Sequence, residues 1–154
     1  MTPCQECAVR DHAICSTLET DEREQFVRLG RQMTVQKGRT VRWEGDESML
    51  VANVVEGALI CSPSTSDGRE QIVGMVYPSD FIGRPLGSES PHNVTAVTNS
   101  KVCVFPRVAF DKFAREHRAM EHQLLRRTLN ELDRARKWML LLGRKSARER
   151  IATF

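Results

Sequence analysis

Three cysteines stand close together near the start of the chain and offer a set of metal-binding thiols. Cys4, Cys7 and Cys15 are separated by two and then by seven residues. A segment of this length can wrap its thiols around one metal centre. Thiolates are soft ligands that suit zinc or an iron–sulfur cluster, and both centres usually take four ligands. The spacing therefore predicts a metal or cluster site whose fourth ligand comes from elsewhere in the chain.

The fourth ligand has three candidates, which are Cys61, Cys103 and His12. Zinc held by three cysteines and His12 fits the spacing as well as an iron–sulfur cluster does. A buried structural role suits Cys61 and Cys103 comparably well, because free cysteine in a strand behaves as a small hydrophobic residue. In the run KVCVF, Cys103 alternates with Val102 and Val104, so its side chain should point to the opposite face of a strand. Spacing alone leaves the metal and the fourth ligand open.

The composition predicts a cytosolic, single-domain protein with free thiols. Of its 154 residues, 40% are hydrophobic and 28% are charged, which is ordinary for one soluble domain. No apolar run approaches the roughly 20 residues of a membrane span, and the first residues lack the pattern of a secretory signal. The five cysteines are an odd number, and the cytosol is reducing, so a disulfide framework is not expected. We expect no membrane partner.

Nucleic-acid binding and catalysis find little support in the sequence. The net charge of +3 is too small to predict contact with nucleic acid by itself. Basic residues concentrate between Arg115 and Arg150, where most of them are expected to line a solvated helix face. The sequence lacks a Gly-x-Ser-x-Gly elbow, a Walker loop, a His-Glu-x-x-His pair and a dinucleotide glycine pattern. We therefore do not expect an enzyme.

Short β-rich runs between two helical regions predict the architecture. The stretch DEREQFVRLG follows Thr20, its predicted N-cap, and forms a short helix that ends at Gly30. From Met33 to Phe105 short β-rich runs alternate with glycines and prolines. The Asp67–Gly68 pair between two of these runs is a strong hairpin signal. Many short strands at this spacing predict a barrel, roll or sandwich.

A long helix should follow the strands. Pro106 can open a first helix, FDKFAREH, because proline suits the first helical turn. The run after it has an apolar seam close to a 3.5-residue repeat, which is the pattern of helices that pair. The seam residues are Leu125, Thr128, Leu132, Ala135, Met139 and Leu142. Such a seam could pack on its own domain, but some 25 residues exceed what the roll could cover, which favours a homodimer.

The end of the chain predicts a helix boundary and a continuation. Gly143 is predicted to end the long helix. Ser146 and Glu149 form a capping box that opens another helix, SARERIATF. That helix reaches Phe154 with almost nothing to pack against, so the sequence looks like part of a larger protein.

These motifs resemble the N-terminal part of the cyclic-AMP receptor protein / FNR superfamily, most closely its oxygen-sensing FNR branch. They are the CQEC…C loop, the roll signatures KG, EGD, VVEGALI, DGREQIVG and YPSDFIG, the KVCVFP strand and the ending LLLGRKSARERIATF. The resemblance implies a mainly β protein with helices, in which a double-stranded β-roll of the cyclic-nucleotide-binding type precedes a long dimerisation helix. The implied parts are a cysteine-rich loop (1–18), a β-roll (19–116), the dimerisation helix (117–143) and a connection to a helix-turn-helix domain (144–154).

In the FNR branch, three N-terminal cysteines and one in the strand before the dimer helix ligate a [4Fe–4S] cluster. By position these correspond to Cys4, Cys7, Cys15 and Cys103. Cys61 has no ligand counterpart and is interpreted as structural. The resemblance implies an oxygen-responsive transcription regulator in which the intact cluster favours the homodimer and oxygen weakens it. DNA and RNA polymerase would be partners of the full-length protein.

Two departures from the family pattern bear on the ligand. The seven-residue gap before Cys15 lengthens the loop relative to the best-known member. The cyclic-nucleotide branch reads the phosphate with a Gly-Glu-Leu turn and an Arg-Ser pair, whereas Gly83-Arg84-Pro85 and NVTAV stand here. Without that arginine and glutamate a cyclic nucleotide loses its main partners, so none is expected. A zinc-bound or cluster-free regulator of the same superfamily that senses another small molecule stays open. So does a haem-binding relative with an axial histidine, for which the candidates are His12, His92, His117 and His122.

Overall fold

Eight short strands pair into two antiparallel sheets. The computed structural model describes residues 4–42, 45, 49–87, 89–144 and 146–152. The strands are β1 (Arg31–Val35), β2 (Thr40–Arg42), β3 (Leu50–Glu56), β4 (Leu59–Ser62), β5 (Gly74–Val76), β6 (Phe81–Ile82), β7 (Asn93–Ala96) and β8 (Ser100–Pro106). One sheet has the order β1-β8-β3-β6 and the other β2-β7-β4-β5. The predicted double-stranded β-roll is confirmed.

The helices precede and follow the roll. They are α1 (Thr20–Arg28), α2 (Arg107–Glu116), α3 (Arg118–Arg144) and α4 (Ala147–Ile151), and a 3-10 helix covers Ile14–Thr17. The long helix α3 has 27 residues, which confirms the predicted long helix after the roll. Among the described residues, no helix is both long and apolar enough to cross a membrane.

Strand alternation divides the buried side chains between two cores. Residues of β8 such as Val102 and Val104 point between the two sheets, where they join Val54 and Leu59 in the inter-sheet core. The intervening side chains of β8 point the other way, because successive residues of a strand face opposite sides. Phe105 accordingly packs with α1 and α2 in a second cluster, the helical-side core.

Four phenylalanines form the centre of the helical-side core. The ring centroid of Phe26 lies 4.3 Å from that of Phe105, 5.9 Å from that of Phe110 and 5.2 Å from that of Phe113. Aromatic pairs at such separations add to the free energy gained by burying their area. Met120, at the start of α3, is also fully buried here. These contacts fasten α1, α2 and the first turn of α3 to the outer face of one sheet.

Two helix boundaries differ from the prediction. Thr20 was expected as the N-cap of α1, but the N-cap is Glu19, whose backbone N–H donates to Oε2 of Glu22 at 2.9 Å. A carboxylate three residues on can satisfy the free N–H of the cap, so the helix begins one residue early. The other end of α1 is as predicted, since the helix ends at Arg28, its C-cap is Leu29 and Gly30 follows directly. Gly143 lies within α3 rather than after it, since one glycine lowers helix propensity without breaking the hydrogen-bond ladder.

Two local predictions are confirmed. Gly68 has a φ of +79°, and β4 and β5 pair on either side of that turn. The backbone N–H of Glu149 donates to Oγ of Ser146 at 3.3 Å, and the N–H of Ser146 donates to Oε2 of Glu149 at 2.7 Å. Both features depend on residues within a few positions of each other, which is why the sequence pattern suffices.

Candidate metal centre

The cysteine-rich segment is a set of turns packed on the helical-side core. The N–H of Arg10 donates to the carbonyl of Cys7 at 3.1 Å, and the N–H of His12 donates to that of Val9 at 3.0 Å. Its buried apolar side chains are Val9, Ala13, Ile14 and Leu18. These contacts hold the segment that carries Cys4, Cys7 and Cys15 against the sheet.

Arg23 of α1 fastens the end of the segment. Its Nη2 donates to the carbonyl of Leu18 at 2.9 Å, and its Nε donates to that of Cys15 at 3.3 Å. Burial, followed by the charges of Cys4 and Cys7, raises the pKa of the Cys15 thiol to about 11, against the opposing effect of the Arg23 guanidinium. The same helix therefore fixes the backbone beside a thiol and brings a positive charge towards it.

Cys103 lies in the middle of the sheet that faces this segment. It occupies β8, where it pairs with Gln32 of β1 on one side and with Asn53 of β3 on the other. Its side chain is half-buried against the helical-side core, away from Val102 and Val104. The predicted direction of the side chain is confirmed. A central strand with two hydrogen-bonded neighbours gives this thiol a fixed position.

The four predicted ligands lie close enough together that a negative charge on one thiolate disfavours ionisation of a neighbouring thiol. Burial, followed by the charges of Cys4, Cys15 and Cys7, raises the pKa of Cys103 to about 12. Burial also raises the pKa of Cys4, with Cys7 as the next cause. A raised pKa keeps the thiols of Cys4, Cys15 and Cys103 protonated at neutral pH, so a metal must displace their protons on binding. The fold thus brings one cysteine of the roll to the three of the loop.

The sulfur atoms are neighbours rather than a closed coordination sphere. Within the described parts of the chain, no group of three or more His, Cys, Asp or Glu side chains lies close enough to hold a metal ion. All five cysteines are free thiols. Loading a centre would therefore require the thiols to converge. Cys4 and Cys7 lie on turns and Cys15 lies in the 3-10 helix Ile14–Thr17, whereas Cys103 lies on a strand.

Cys61 lies in a different part of the molecule. It belongs to β4 and is buried in the inter-sheet core. Burial raises its pKa to about 11, and the next causes are the charges of Glu131 and Asp80. A side chain between the sheets faces away from the loop, so the structural interpretation of Cys61 agrees with its position. His12, the alternative ligand, belongs to the loop and has an exposed side chain.

Of the histidines considered as haem ligands, His117 is engaged with protein groups. Its ring stacks on Phe113 with centroids 3.8 Å apart, and Nδ1 lies 2.7 Å from the carbonyl oxygen of Phe113. Nε2 lies 3.8 Å from Oε1 of Glu22. His122 is exposed on α3. A haem would have to displace the stacked ring of His117 before this histidine could act as a ligand.

The predicted seam of α3 is open to solvent in the single chain. Only Met120 and Leu141 of this helix are buried among the residues whose burial is described. Leu125, Leu132, Met139 and Leu142 are from 40% to 65% exposed, and Thr128 and Ala135 are exposed as well. Leu129 and Leu140, outside the predicted set, are also more than half exposed. An apolar surface of this extent on one helix is typical of a protein–protein contact.

Two arginines of α3 have partners that sequence reasoning missed. Arg134 donates to both carboxylate oxygens of Asp80, from Nη1 at 2.9 Å and from Nη2 at 3.2 Å. Arg127 donates from Nη1 to the carbonyl of Ser79 at 2.5 Å and from Nη2 to the carbonyl of His12. The sequence predicted only a solvated basic face here. Nothing local marks these two, because their partners are 48 or more positions away.

The segments that would meet a cyclic nucleotide carry other groups. At the Gly83-Arg84-Pro85 turn, the N–H of Leu86 lies 3.3 Å from both carboxylate oxygens of Asp111. NVTAV runs through β7, where Val94 and Ala96 are buried in the inter-sheet core. Thr95 shares a hydrogen bond with Thr40 of β2 at 2.9 Å. Val94, Thr95 and Ala96 therefore give this part of β7 an apolar and hydroxyl character.

Comparison with known proteins matches this architecture. A family model described as the cyclic nucleotide-binding domain fits residues 32–117. The solved structure of FixK2 from Bradyrhizobium japonicum has a TM-score of 0.75 and 32% identity, covering 81% of this chain and 63% of that one. A CooA mutant from Carboxydothermus hydrogenoformans has a TM-score of 0.72 over 95% of both chains, and at 17% identity it shows the fold alone.

Curated relatives extend the match beyond the roll. Transcriptional activator protein FnrL of Cereibacter sphaeroides is 41% identical over 150 residues, which are 97% of this chain and 60% of the relative. Nitrogen fixation regulation protein FixK of Bradyrhizobium diazoefficiens is 36% identical over 151 residues, which are 98% of this chain and 64% of the relative. The chain therefore spans about three fifths of the length of these relatives.

A double-stranded β-roll followed by a long helix is the architecture of domains of the cyclic nucleotide-binding type. The family model matches the roll, and the relatives match the chain before and after the roll as well, which makes the assignment to a family more specific. The chain belongs to the cyclic nucleotide-binding domain family, in its CRP/FNR branch. The expected resemblance is confirmed.

Proposed function

We propose that this chain is the sensory and dimerisation part of an oxygen-responsive transcription regulator. The observation that carries the proposal is the approach of Cys103, on a central strand, to Cys4, Cys7 and Cys15 on the loop. The relatives include a transcriptional activator and a nitrogen fixation regulator, which supports control of transcription. The names of these relatives state no cofactor, so that part of the proposal rests on the cysteines of this chain.

The donor set suits a [4Fe–4S] cluster held by Cys4, Cys7, Cys15 and Cys103. Four thiolates are the usual ligands of such a cluster, and partial burial shields it from solvent. The guanidinium of Arg23 offers a nearby positive charge to an anionic centre. When bound, the cluster supplies sensitivity to oxygen. The protein contributes one rigid ligand on β8 and three ligands on the cysteine-rich segment, whose position would depend on ligation of the cluster.

Ligation would control association through the long helix. A group that binds the dimer-competent state more tightly shifts the equilibrium towards the dimer by its difference in affinity. The exposed seam from Leu125 to Leu142 is the surface that a second copy would cover. In the whole protein this homodimer would act in the cytoplasm, bind DNA through a helix-turn-helix domain and contact RNA polymerase. Two-fold symmetry of the dimer would match a palindromic site. No cyclic nucleotide is bound.

Anaerobic reconstitution of this chain with iron and sulfide tests the proposal. The protein should turn brown and hold roughly four irons and four sulfides per chain. Cys103→Ala should lose most of that content, whereas the matched variant Cys61→Ala should keep it. A colourless protein with about one zinc per chain would identify a structural zinc site instead. Retention of the full cluster by Cys103→Ala would contradict the assigned ligand set.

A cavity between β5 and α3 favours one second candidate, a cluster-free regulator that senses a small apolar molecule. The cavity has a volume of about 500 Å³, and its walls include Val73, Met75, Trp138 and Leu141. Apolar cavities of this size are typical of small-molecule sites. In a Trp43→Phe chain, the fluorescence of Trp138 would report binding from a panel of apolar molecules. Saturable binding together with no iron uptake would favour this candidate over the cluster.

A further inference from the structure

We propose that Arg127 is a positioning residue that couples the cysteine loop to the long helix. Its guanidinium joins α3 to the carbonyl of His12 in the loop and to the carbonyl of Ser79 in the roll. The seating of α3 on the roll therefore depends on where the loop lies. This inference rests on the proposed function, because it describes how loss of the cluster would reach the dimer surface.

The roll offers Arg127 a fixed anchor at the turn before β6. The N–H of Ser79 donates to the carbonyl of Val54, and the N–H of Val54 donates to the carbonyl of Asp80, both at 2.9 Å. The N–H of Tyr77 donates to Oδ2 of Asp80 at 3.0 Å. Ser79 has a φ of +78°, in the left-handed region that only well-supported turns hold without glycine. Two backbone hydrogen bonds to Val54 thus hold the turn against the central strand β3.

Arg127 and Arg134 form hydrogen bonds to this turn from the same face of α3. They are seven residues apart, which is about two helical turns. Arg134 donates to the two carboxylate oxygens of Asp80. Arg127 faces backbone carbonyls, one from the turn and one from the loop. Of these two arginines, Arg127 is the one that links the helix to the cysteine-rich segment.

Loss of the loop contact would leave Arg127 poorly satisfied. Its side chain is half-buried, and its Nε has no hydrogen-bond partner among the described residues. A partly buried guanidinium that loses one of two acceptors must move towards water or find another partner. His12 stands three positions before Cys15, so displacement of the loop carries this acceptor with it.

The seam lies close to the link. Thr128 is the next residue along α3, and Leu125 is two positions before Arg127. Leu124, between Leu125 and the buried Met120, packs against the helical-side core. A rotation or shift of α3 that relieves Arg127 would therefore move Leu125 and Thr128 relative to the partner helix. Coupling between a loop and a dimer surface needs such a shared element, with two positions that both sites can bias.

Sedimentation of this chain in the cluster-loaded and metal-free states, without oxygen, tests the link. In the unsubstituted chain the dimer dissociation constant should rise about tenfold or more when the cluster is removed. Arg127→Met keeps the aliphatic stem and removes the donors. In this variant the ratio of the metal-free to the cluster-loaded dissociation constant should fall below about threefold. Arg127→Lys keeps the positive charge. It should also lose most of the difference between the two states, because a compact ammonium lacks the two separate nitrogens with which the guanidinium reaches the carbonyls of Ser79 and His12. The iron and sulfide content should stay unchanged in both variants.

Arg134→Met is the matched control. It removes a second arginine that grips the same turn without touching the loop, so it should alter both states alike and preserve the ratio. The proposal is overturned if Arg127→Met keeps the unsubstituted ratio, or if Arg134→Met collapses it equally.

If the proposed function is wrong, the unsubstituted chain takes up no cluster. Hydrogen exchange in the metal-free chain then tests whether Arg127 links the loop to α3. Arg127→Met should speed exchange at the amides of His12 and Ala13, whose N–H groups donate to Val9, relative to Arg134→Met. Equal rates in the two variants would overturn the link.

Discussion

The ring of Phe26 stacks on that of Phe105 with centroids 4.3 Å apart and an interplanar angle of 25°. Phe105 stands two residues after Cys103 on β8, so both side chains lie on the same face of the strand. The stack therefore connects α1, which follows the cysteine loop, to β8, which carries Cys103. Packing of this kind holds the loop and the strand in a fixed relative position.

Removal of this ring should destabilise the whole fold. Phe26→Ala deletes a side chain that is 1% exposed, and large-to-small changes of phenylalanine in a core cost about 3–5 kcal/mol. Urea unfolding followed by circular dichroism measures the loss. Val108→Ala, at a side chain that is 73% exposed, should change stability by less than about 0.5 kcal/mol. Similar losses for both variants would contradict the central place of the aromatic cluster.

Two glycines should respond oppositely to alanine. A Cβ at Gly30 would lie 2.5 Å from the ring of Phe105 and 2.7 Å from the carbonyl of Val104. Gly30→Ala should therefore destabilise the chain by about 1–3 kcal/mol. A Cβ at Gly143 would meet nothing within 4 Å, so Gly143→Ala should stabilise α3 by up to about 1 kcal/mol. Thermal unfolding of the pair should move in opposite directions, and a shift in the same direction would contradict the packing at Gly30.

The buried thiol of Cys61 should make stability depend on alkaline pH. Burial raises its pKa from 9.0 to about 11 in the folded chain. Below pH 9 both the folded and unfolded states hold the proton, and stability from this group is complete. As the pH rises from 9 towards 11, the unfolded state releases the proton first, so the free energy of unfolding falls. The fall over this interval should be smaller in Cys61→Ala than in the unsubstituted chain, as measured by urea unfolding at successive pH values. An equal fall in both would place the thiol in a more solvated setting.

The seam of α3 should control association. Leu132→Glu puts a charge at the centre of the predicted seam, where two copies would bring like charges together, and it should weaken dimerisation by at least about tenfold. Val108→Glu on α2 is the control and should leave association unchanged. Sedimentation of the cluster-loaded chain without oxygen measures both. Unchanged association in Leu132→Glu would move the interface to another surface.

Some dimer should persist without the cluster. Ala135 is small and uncharged at an exposed position of the seam, so helix pairing meets no buried charge there. We expect the metal-free chain to be partly dimeric at tens of micromolar. Ala135→Asp should reduce this residual dimer, because two carboxylates would face each other across the two-fold axis. A purely monomeric metal-free chain at that concentration would contradict this expectation.

Local patterns predicted much of the fold. The Asp67–Gly68 hairpin, the Ser146–Glu149 cap and the long helix were all readable, because each depends on residues a few positions apart. Alternation of Cys103 with its valines also predicted its direction, since the two-residue period of a strand is a local property. The predicted N-cap of α1 was wrong by one residue, because several polar side chains near a helix end can satisfy the same N–H groups.

The sequence by itself predicted the loop cysteines as a set, the β-roll class and the apolar seam. Its spacing left Cys61 and Cys103 level as partners of the loop, and the family resemblance favoured Cys103. The tertiary structure adds their positions, with Cys61 between the sheets and Cys103 against the helical-side core, where the loop also packs. It also gave Arg127 its two carbonyl partners, which belong to segments 48 and 115 positions away in the chain. Spacing and periodicity act over a few residues, whereas these contacts arise from how whole segments pack, and no local pattern encodes which distant backbone atom a side chain will meet.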